Sequence, residues 1–132
     1  MRIFLDTNVW LAAFLTHGGC HDLVEYCLES HVLLISEGVL KEIENKLKTK
    51  FQIPKSRREE LVAFIRDNTR RIETPALNKP VCRDPQDDHI LASASGGQAD
   101  CLITGDQDLL VLRTFQGIPI LKPNDFWKFE KS

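Results

Sequence analysis

The 132 residues, 42% hydrophobic and 27% charged, amount to one domain at ~100–200 residues per domain. They are enough for an apolar core that needs no disulfide or metal staple. Seven Gly and six Pro exclude collagen-like, disordered and low-complexity chains. Seventeen Lys and Arg against 19 Asp and Glu leave a formal charge of −2, so bulk charge alone does not nominate nucleic acid as a partner.

Cys20, Cys27, Cys82 and Cys101 form no CxxC pair. The opening Met1-Arg2-Ile3-Phe4 reaches Asp6 too soon for the apolar run of a signal peptide. No stretch approaches the ~18 apolar residues of a membrane span. The expectation is a soluble, cytoplasmic protein with reduced thiols.

In chain order, Ile3-Phe4-Leu5 reads as a short strand ending at Asp6. Val9 to Leu15 is apolar nearly all round, as in a helix covered on most faces. Gly18-Gly19 breaks it into a loop, after which Leu23, Val24, Cys27 and Leu28 mark one stripe of a second helix. Val32-Leu33-Leu34-Ile35 is a strand covered on both faces. Ser36 caps a third helix that carries Val39, Leu40, Ile43 and Leu47 to about Lys50. A charged helix follows from Ser56 to Arg70 with Leu61, Val62 and Ile65 inward, then a short strand near Arg71-Ile72-Glu73.

Asp84-Pro85-Gln86-Asp87 is a helix start, with Asp84 as cap and Pro at the first helical position. Ile90, Leu91 and Ala94 form that helix's apolar face and Gly96-Gly97 ends it. Cys101-Leu102-Ile103-Thr104 is a buried strand, Asp106–Leu110 a helical turn, and Ile118-Pro119-Ile120 a last strand. Pro119 makes that strand an edge candidate. A turn follows around Asp125–Lys128. Short apolar strands alternating with helices predict an α/β fold with a mainly parallel sheet in one domain spanning 1–132.

The acids fall at informative places. Asp6 ends the first strand, and Asp106 and Asp108 follow a later one. Ligands of parallel sheets bind outside the carboxyl ends of strands. At ~100° per residue, Glu42 lies at one edge of the third helix's apolar stripe, while Glu37 and Glu44 lie beyond the other edge. Asp87 shares the inward face of Ile90, Leu91 and Ala94, and Asp88 projects over Ala92 and Ser95. A carboxylate at a core edge is costly unless paired or bound to a cation. Converging carboxylates repel, and a divalent metal relieves them. Oxygen ligands without nitrogen or thiolate suit Mg²⁺ or Mn²⁺ rather than Zn²⁺. The positions point to a metal site of Asp6, Glu42, Asp87 and Asp106, with Asp108 auxiliary. Helix capping is the competing account of Asp6, Asp84 and Asp106.

The ordered set Ile3-Phe4-Leu5-Asp6-Thr7-Asn8, Ser36-x-x-Val39-Leu40-x-Glu42-Ile43, Asp84-Pro85-Gln86-Asp87-Asp88-x-Ile90-Leu91-x-x-Ala94 and Leu102-Ile103-Thr104-Gly105-Asp106-Gln107-Asp108-Leu109-Leu110 resembles the PIN-domain family. It is most similar to small prokaryotic VapC-type toxin–antitoxin ribonucleases. The resemblance implies a three-layer α/β/α sandwich and an Mg²⁺- or Mn²⁺-dependent endoribonuclease that leaves 5′-phosphate and 3′-hydroxyl ends. It also implies an antitoxin partner and a homodimer. Its acids carry over to Asp6, Glu42, Asp87 and Asp106. Asp87 is preferred because Ala94 stands seven residues after it, and Asp88 is its rival. Thr7, Asn8 and Thr104 match polar positions that support the acids.

His17-Gly18-Gly19-Cys20-His21 lacks the second ligand pair of a zinc site, and His89 reads as a partly exposed helix residue rather than a general base. Trp10 reads as core. Trp127 with Phe126 and Phe129 closes the core or makes an interface, core being favoured. Lys46, Lys48, Lys50, Lys55, Arg57, Arg58, Arg66, Arg70 and Arg71 concentrate in the middle of the chain, as a solvated helix surface or as a phosphate-contacting rim. Two other functions compete. One is a receiver-like phosphoacceptor, which calls for an acidic pair after the first strand. The other is a PIN scaffold that binds RNA or antitoxin without cutting.

Overall fold

The computed structural model describes residues Met1–Lys131. In chain order the elements are β1 (Arg2–Leu5), α1 (Thr7–Leu15), α2 (Gly19–Ser30), β2 (Val32–Ile35), α3 (Glu37–Thr49), α4 (Lys55–Asn68), β3 (Arg70–Arg71), α5 (Pro85–Gly96), β4 (Cys101–Ile103), α6 (Gln107–Leu110), β5 (Thr114–Phe115), β6 (Ile118–Leu121) and α7 (Phe126–Lys131). The sheet runs β3-β2-β1-β4-β6-β5. Every pairing is parallel except that of β5 with β6.

The three central strands are continuous apolar runs because helices cover both faces of a parallel sheet. Ile3, Phe4, Leu5, Leu33, Leu34, Ile35, Cys101, Leu102 and Ile103 are all buried. Phe4 pairs with Leu34 on one side and Leu102 on the other. The connections from β1 to β2 and from β2 to β3 step outward in one direction and carry α1–α4. The connection from β3 to β4 returns the other way and carries α5. Right-handed crossovers therefore put α5 on the opposite face, giving three α/β/α layers. In register, the carboxyl ends of β1, β2 and β4 deliver Asp6, Ser36 and Thr104 to one edge, and the Asp6 N–H donates to the Ile103 carbonyl at 3.0 Å.

Several expectations shift. The strand holding Pro119 is not an edge, because Thr114–Phe115 folds back on it as a two-residue hairpin partner, too short to show a period-2 pattern. The strand expected near Arg71–Glu73 lies one residue earlier. Cys20 and His21 belong to α2 rather than to a loop. His21 pairs with Glu25 and with the Ala13 carbonyl, and all four cysteines are free. Phe126 is core, whereas Trp127 is 37% exposed and leans on Tyr26.

Gly96 and Gly97 act by size rather than by turn geometry. Gly97 has a right-handed φ of −82°, and the left-handed residue is Gln98, at φ 54°. A Cβ on Gly96 would lie 2.4 Å from Pro75 Cδ and 2.6 Å from the Glu73 carbonyl oxygen. Gly96→Ala is expected to cost about 1–3 kcal/mol through overpacking, read as a lower denaturation midpoint with unchanged m-value. An unchanged midpoint contradicts this close packing.

Candidate metal centre

Asp6 leaves β1 at the sheet's carboxyl edge and is only 8% exposed. The Thr104 hydroxyl donates to its Oδ2 at 2.7 Å, and the Asp106 N–H donates to Thr104 Oγ1 at 3.0 Å. One hydroxyl thus ties the end of β1 to the turn after β4. Asp106 in turn caps α6, accepting from the Asp108 N–H at 2.9 Å. Burial pushes the Asp6 carboxyl above its ordinary range. The Thr104 hydroxyl and the Thr7 N–H pull it back, and the charges of Glu42 and Asp106 push it further up. Thr7 serves by its backbone; its buried hydroxyl has no partner among the described residues.

Across from Asp6, α5 presents Asp87, 7% exposed. Carboxylate oxygens of Asp87, Asp106 and Asp108 lie within 4.8 Å of one another. The Asp87 carboxyl is pushed up to about 7, first by burial, then by the Asp106 charge and a proton shared with it, then by Asp84 and Asp6. Glu42, on α3, is half-buried and 3.6 Å from Lys46 Nζ. That ammonium also donates to Asn8 Oδ1 at 3.2 Å, so Asn8 serves α3 and Glu42 through Lys46. The exposed Arg83 donates from Nη2 to both oxygens of Asp108 at 2.9 Å.

The donor set fits a hard divalent cation. It is all oxygen and partly desolvated, and that burial, with the neighbouring acidic charges, pushes one member up to about 7. Asp87, Asp106 and Asp108 would each offer the cation a carboxylate oxygen, the ligand type that Mg²⁺ takes. Asp6 and Glu42 adjoin this group through their charges rather than standing in its tight triad.

The other acids have structural partners. Asp84 caps α5, accepting from the Gln86 N–H at 2.9 Å. Asp88 accepts from the N–H groups of Cys82 and Val81 at 2.8 and 3.2 Å, pinning the preceding loop. Glu37 holds Arg66 and Arg71. Most of the mid-chain cations are engaged with their own protein: Arg57 pairs with Glu60, Lys55 with Glu59, and Arg58 donates to the Ile53 carbonyl. His89 is half-buried, in keeping with a partly exposed helix residue. It lies over Gly38, where a Cβ would stand 2.3 Å from its Nε2, and within 3.3 Å of Ser36 Oγ. Arg83 carried no signal in the sequence, whereas Lys46 sits four residues after Glu42, the spacing of a helical ion pair.

The sequence profile of the PIN domain matches residues 2–108. The chain belongs to the PIN-domain family. Among solved structures, its fold is similar to that in the crystal structure of VapBC2 from Rickettsia felis bound to a DNA fragment from their promoter. The TM-score is 0.68 at 16% identity over 92% of this chain and 98% of that one. It is also similar to Mycobacterium tuberculosis VapC20, a sarcin–ricin loop cleaving toxin, with TM-score 0.60 at 17% identity over 89% of this chain and 98% of that one. No curated protein matches the chain. The PIN strand order seen here, with β1 between β2 and β4, differs from the 2-1-3-4-5 order of receiver domains, which removes the phosphoacceptor alternative. Among the described residues no helix is long and apolar enough to cross a membrane.

Proposed function

We propose that the chain is an Mg²⁺- or Mn²⁺-dependent endoribonuclease, the cytoplasmic toxin of a toxin–antitoxin pair. Asp6, Glu42, Asp87 and Asp106 hold the metal and Asp108 assists. The observation that carries this reading is the convergence of Asp87, Asp106 and Asp108 within 4.8 Å beside buried Asp6, at the sheet edge where ligands of such folds bind. When bound, a divalent cation supplies a water acidified toward neutral pH and charge stabilisation at the phosphoryl oxygens.

The chain's own residues keep the carboxylates in place. Thr104 fixes the Asp6 oxygen that it bonds, and the Asp108 N–H fixes one oxygen of Asp106. The acids hold metal, and none of them is a nucleophile. Water adds at phosphorus as the P–O3′ bond breaks, leaving a 5′-phosphate and a 3′-hydroxyl.

An antitoxin partner belongs to this reading, and a groove of about 280 Å³ between α1, α2 and α4, lined by Phe14, Val24, Leu28 and the exposed Phe64, supports it. Self-association completes this reading, and sedimentation measures it.

Purified protein is expected to cut generic single-stranded RNA with Mg²⁺ or Mn²⁺, to stop on addition of EDTA, and to resume when metal is restored. Binding without cutting under all three conditions would leave the non-cutting scaffold as the function.

A further inference from the structure

Two cations stand at the rim of the acidic centre, Lys46 against Glu42 and Arg83 against Asp108. Lys46 reaches it from α3 and Arg83 from the loop before α5. Lys46 is loosely held, and Arg83 is tied through one nitrogen only. Lys46 Nζ lies 3.6 Å from Glu42 Oε1, beyond the ~2.7–2.9 Å of a strong charge-assisted bond, and its better contact is the neutral Asn8 amide at 3.2 Å. Arg83 is 86% exposed, and Nη2 alone makes both of its bonds to Asp108. The other edge of its guanidinium is open, and a planar fork of that kind matches a phosphate.

Charge explains the arrangement. In the metal-free chain five carboxylates (Asp6, Glu42, Asp87, Asp106 and Asp108) face these two cations, and the cluster draws both inward. A divalent ion on the acids offsets two negative charges of that cluster and weakens the pull, leaving both cations freer to meet an incoming phosphate.

We propose that Lys46 and Arg83 bind backbone phosphates of a single RNA strand at this centre, and that metal binding loosens their hold on Glu42 and Asp108 so that they can do so. The assignment rests on the nuclease reading and narrows its substrate contact to two residues. It also sharpens the role of net charge: the chain needs no overall positive charge if its phosphate-binding cations are loosened by the metal.

The test is fluorescence anisotropy with a labelled 12-nucleotide single-stranded RNA across a salt series, in Ca²⁺ and in EDTA, with a gel to verify that the RNA stays intact. Each phosphate contact to a single strand contributes ~0.7 to the slope of log affinity on log salt. In Ca²⁺, Lys46→Ala and Arg83→Ala are each expected to lower the slope by ~0.7 and the double variant by ~1.4, while Lys46→Arg keeps the original slope. Lys48→Ala, on the outward side of the same helix, leaves it unchanged. In EDTA the differences shrink.

Variants that match the wild-type slope in Ca²⁺ overturn the assignment, and equal losses in EDTA overturn the loosening by metal. A wild-type chain that binds no RNA in either buffer refutes the nuclease reading itself. Thermal melts confirm that the variants fold, as expected for one exposed pair and one loose, half-buried pair of little stabilising value.

Discussion

Asp6→Asn is expected to abolish cleavage while leaving the chain as stable as before or more so. The side chain is 8% exposed, and its carboxyl is pushed above the ordinary range chiefly by burial. The ionised form is therefore kept at a cost to the metal-free fold. Asparagine has nearly the same volume, and its carbonyl can still accept from the Thr104 hydroxyl that now donates at 2.7 Å. It removes only the negative charge.

Replacing residues that merely orient metal ligands costs about 10–100-fold in affinity or activity, so loss of a ligand is expected to cost more than about 100-fold in initial rate at saturating Mn²⁺. Two melts complete the test. Without metal the variant's melting temperature stays at or above that of the wild type. With metal only the wild type rises, by the mass action of a ligand that binds the folded state. An active Asp6→Asn would remove Asp6 from the metal site.

The sheet and the principal acids were legible because each follows from a short-range rule. A strand covered on both faces must be a continuous apolar run, which places Ile3–Leu5, Leu33–Ile35 and Cys101–Ile103 and fixes Asp6 and Asp106 just beyond strand ends. Helical phase put Asp87 rather than its rival Asp88 on the face of Ile90 and Leu91, and Asp87 is the buried one of the two. What the chain hid is of another kind. Two residues of β5 are too few to show a period. Gly96 is explained by Pro75 and Glu73, which come near it only in the fold. The Arg83–Asp108 pair spans 25 residues, and no spacing rule links residues so far apart. For the same reason Asp108 read as an accessory acid, although its oxygens stand in the tight group with Asp87 and Asp106.

Raising the pH from 5 to 8 is expected to destabilise the metal-free protein at Asp87, and Mg²⁺ is expected to restore what is lost. In the unfolded chain this carboxyl titrates near ~3.9, whereas in the folded chain it is pushed up to about 7. Between those values the folded state binds a proton that the unfolded state has released. Stability therefore falls as pH rises: the contribution of Asp87 is complete below about pH 4 and is lost as pH passes through about 7. Asp6 acts in the same direction.

His89 acts against them. Burial holds its imidazole below the ordinary range, partly offset by Glu42, so its contribution is present at higher pH and lost on acidification. The raw pH profile mixes these opposed effects, and the difference between wild type and Asp87→Asn isolates Asp87. That difference is expected to be smaller at pH 5 and to grow to pH 8, where the variant melts higher without metal.

Added Mg²⁺ reverses the order. Ligands must be deprotonated to bind it, so the metal raises the wild-type melting temperature strongly at pH 8 and little at pH 5. It does little for the variant at either pH. Melts at four pH values with and without Mg²⁺ check both halves. Parallel wild-type and variant curves from pH 5 to 8 would mean that Asp87 is an ordinary carboxylate, neither crowded by Asp106 nor poised for a cation.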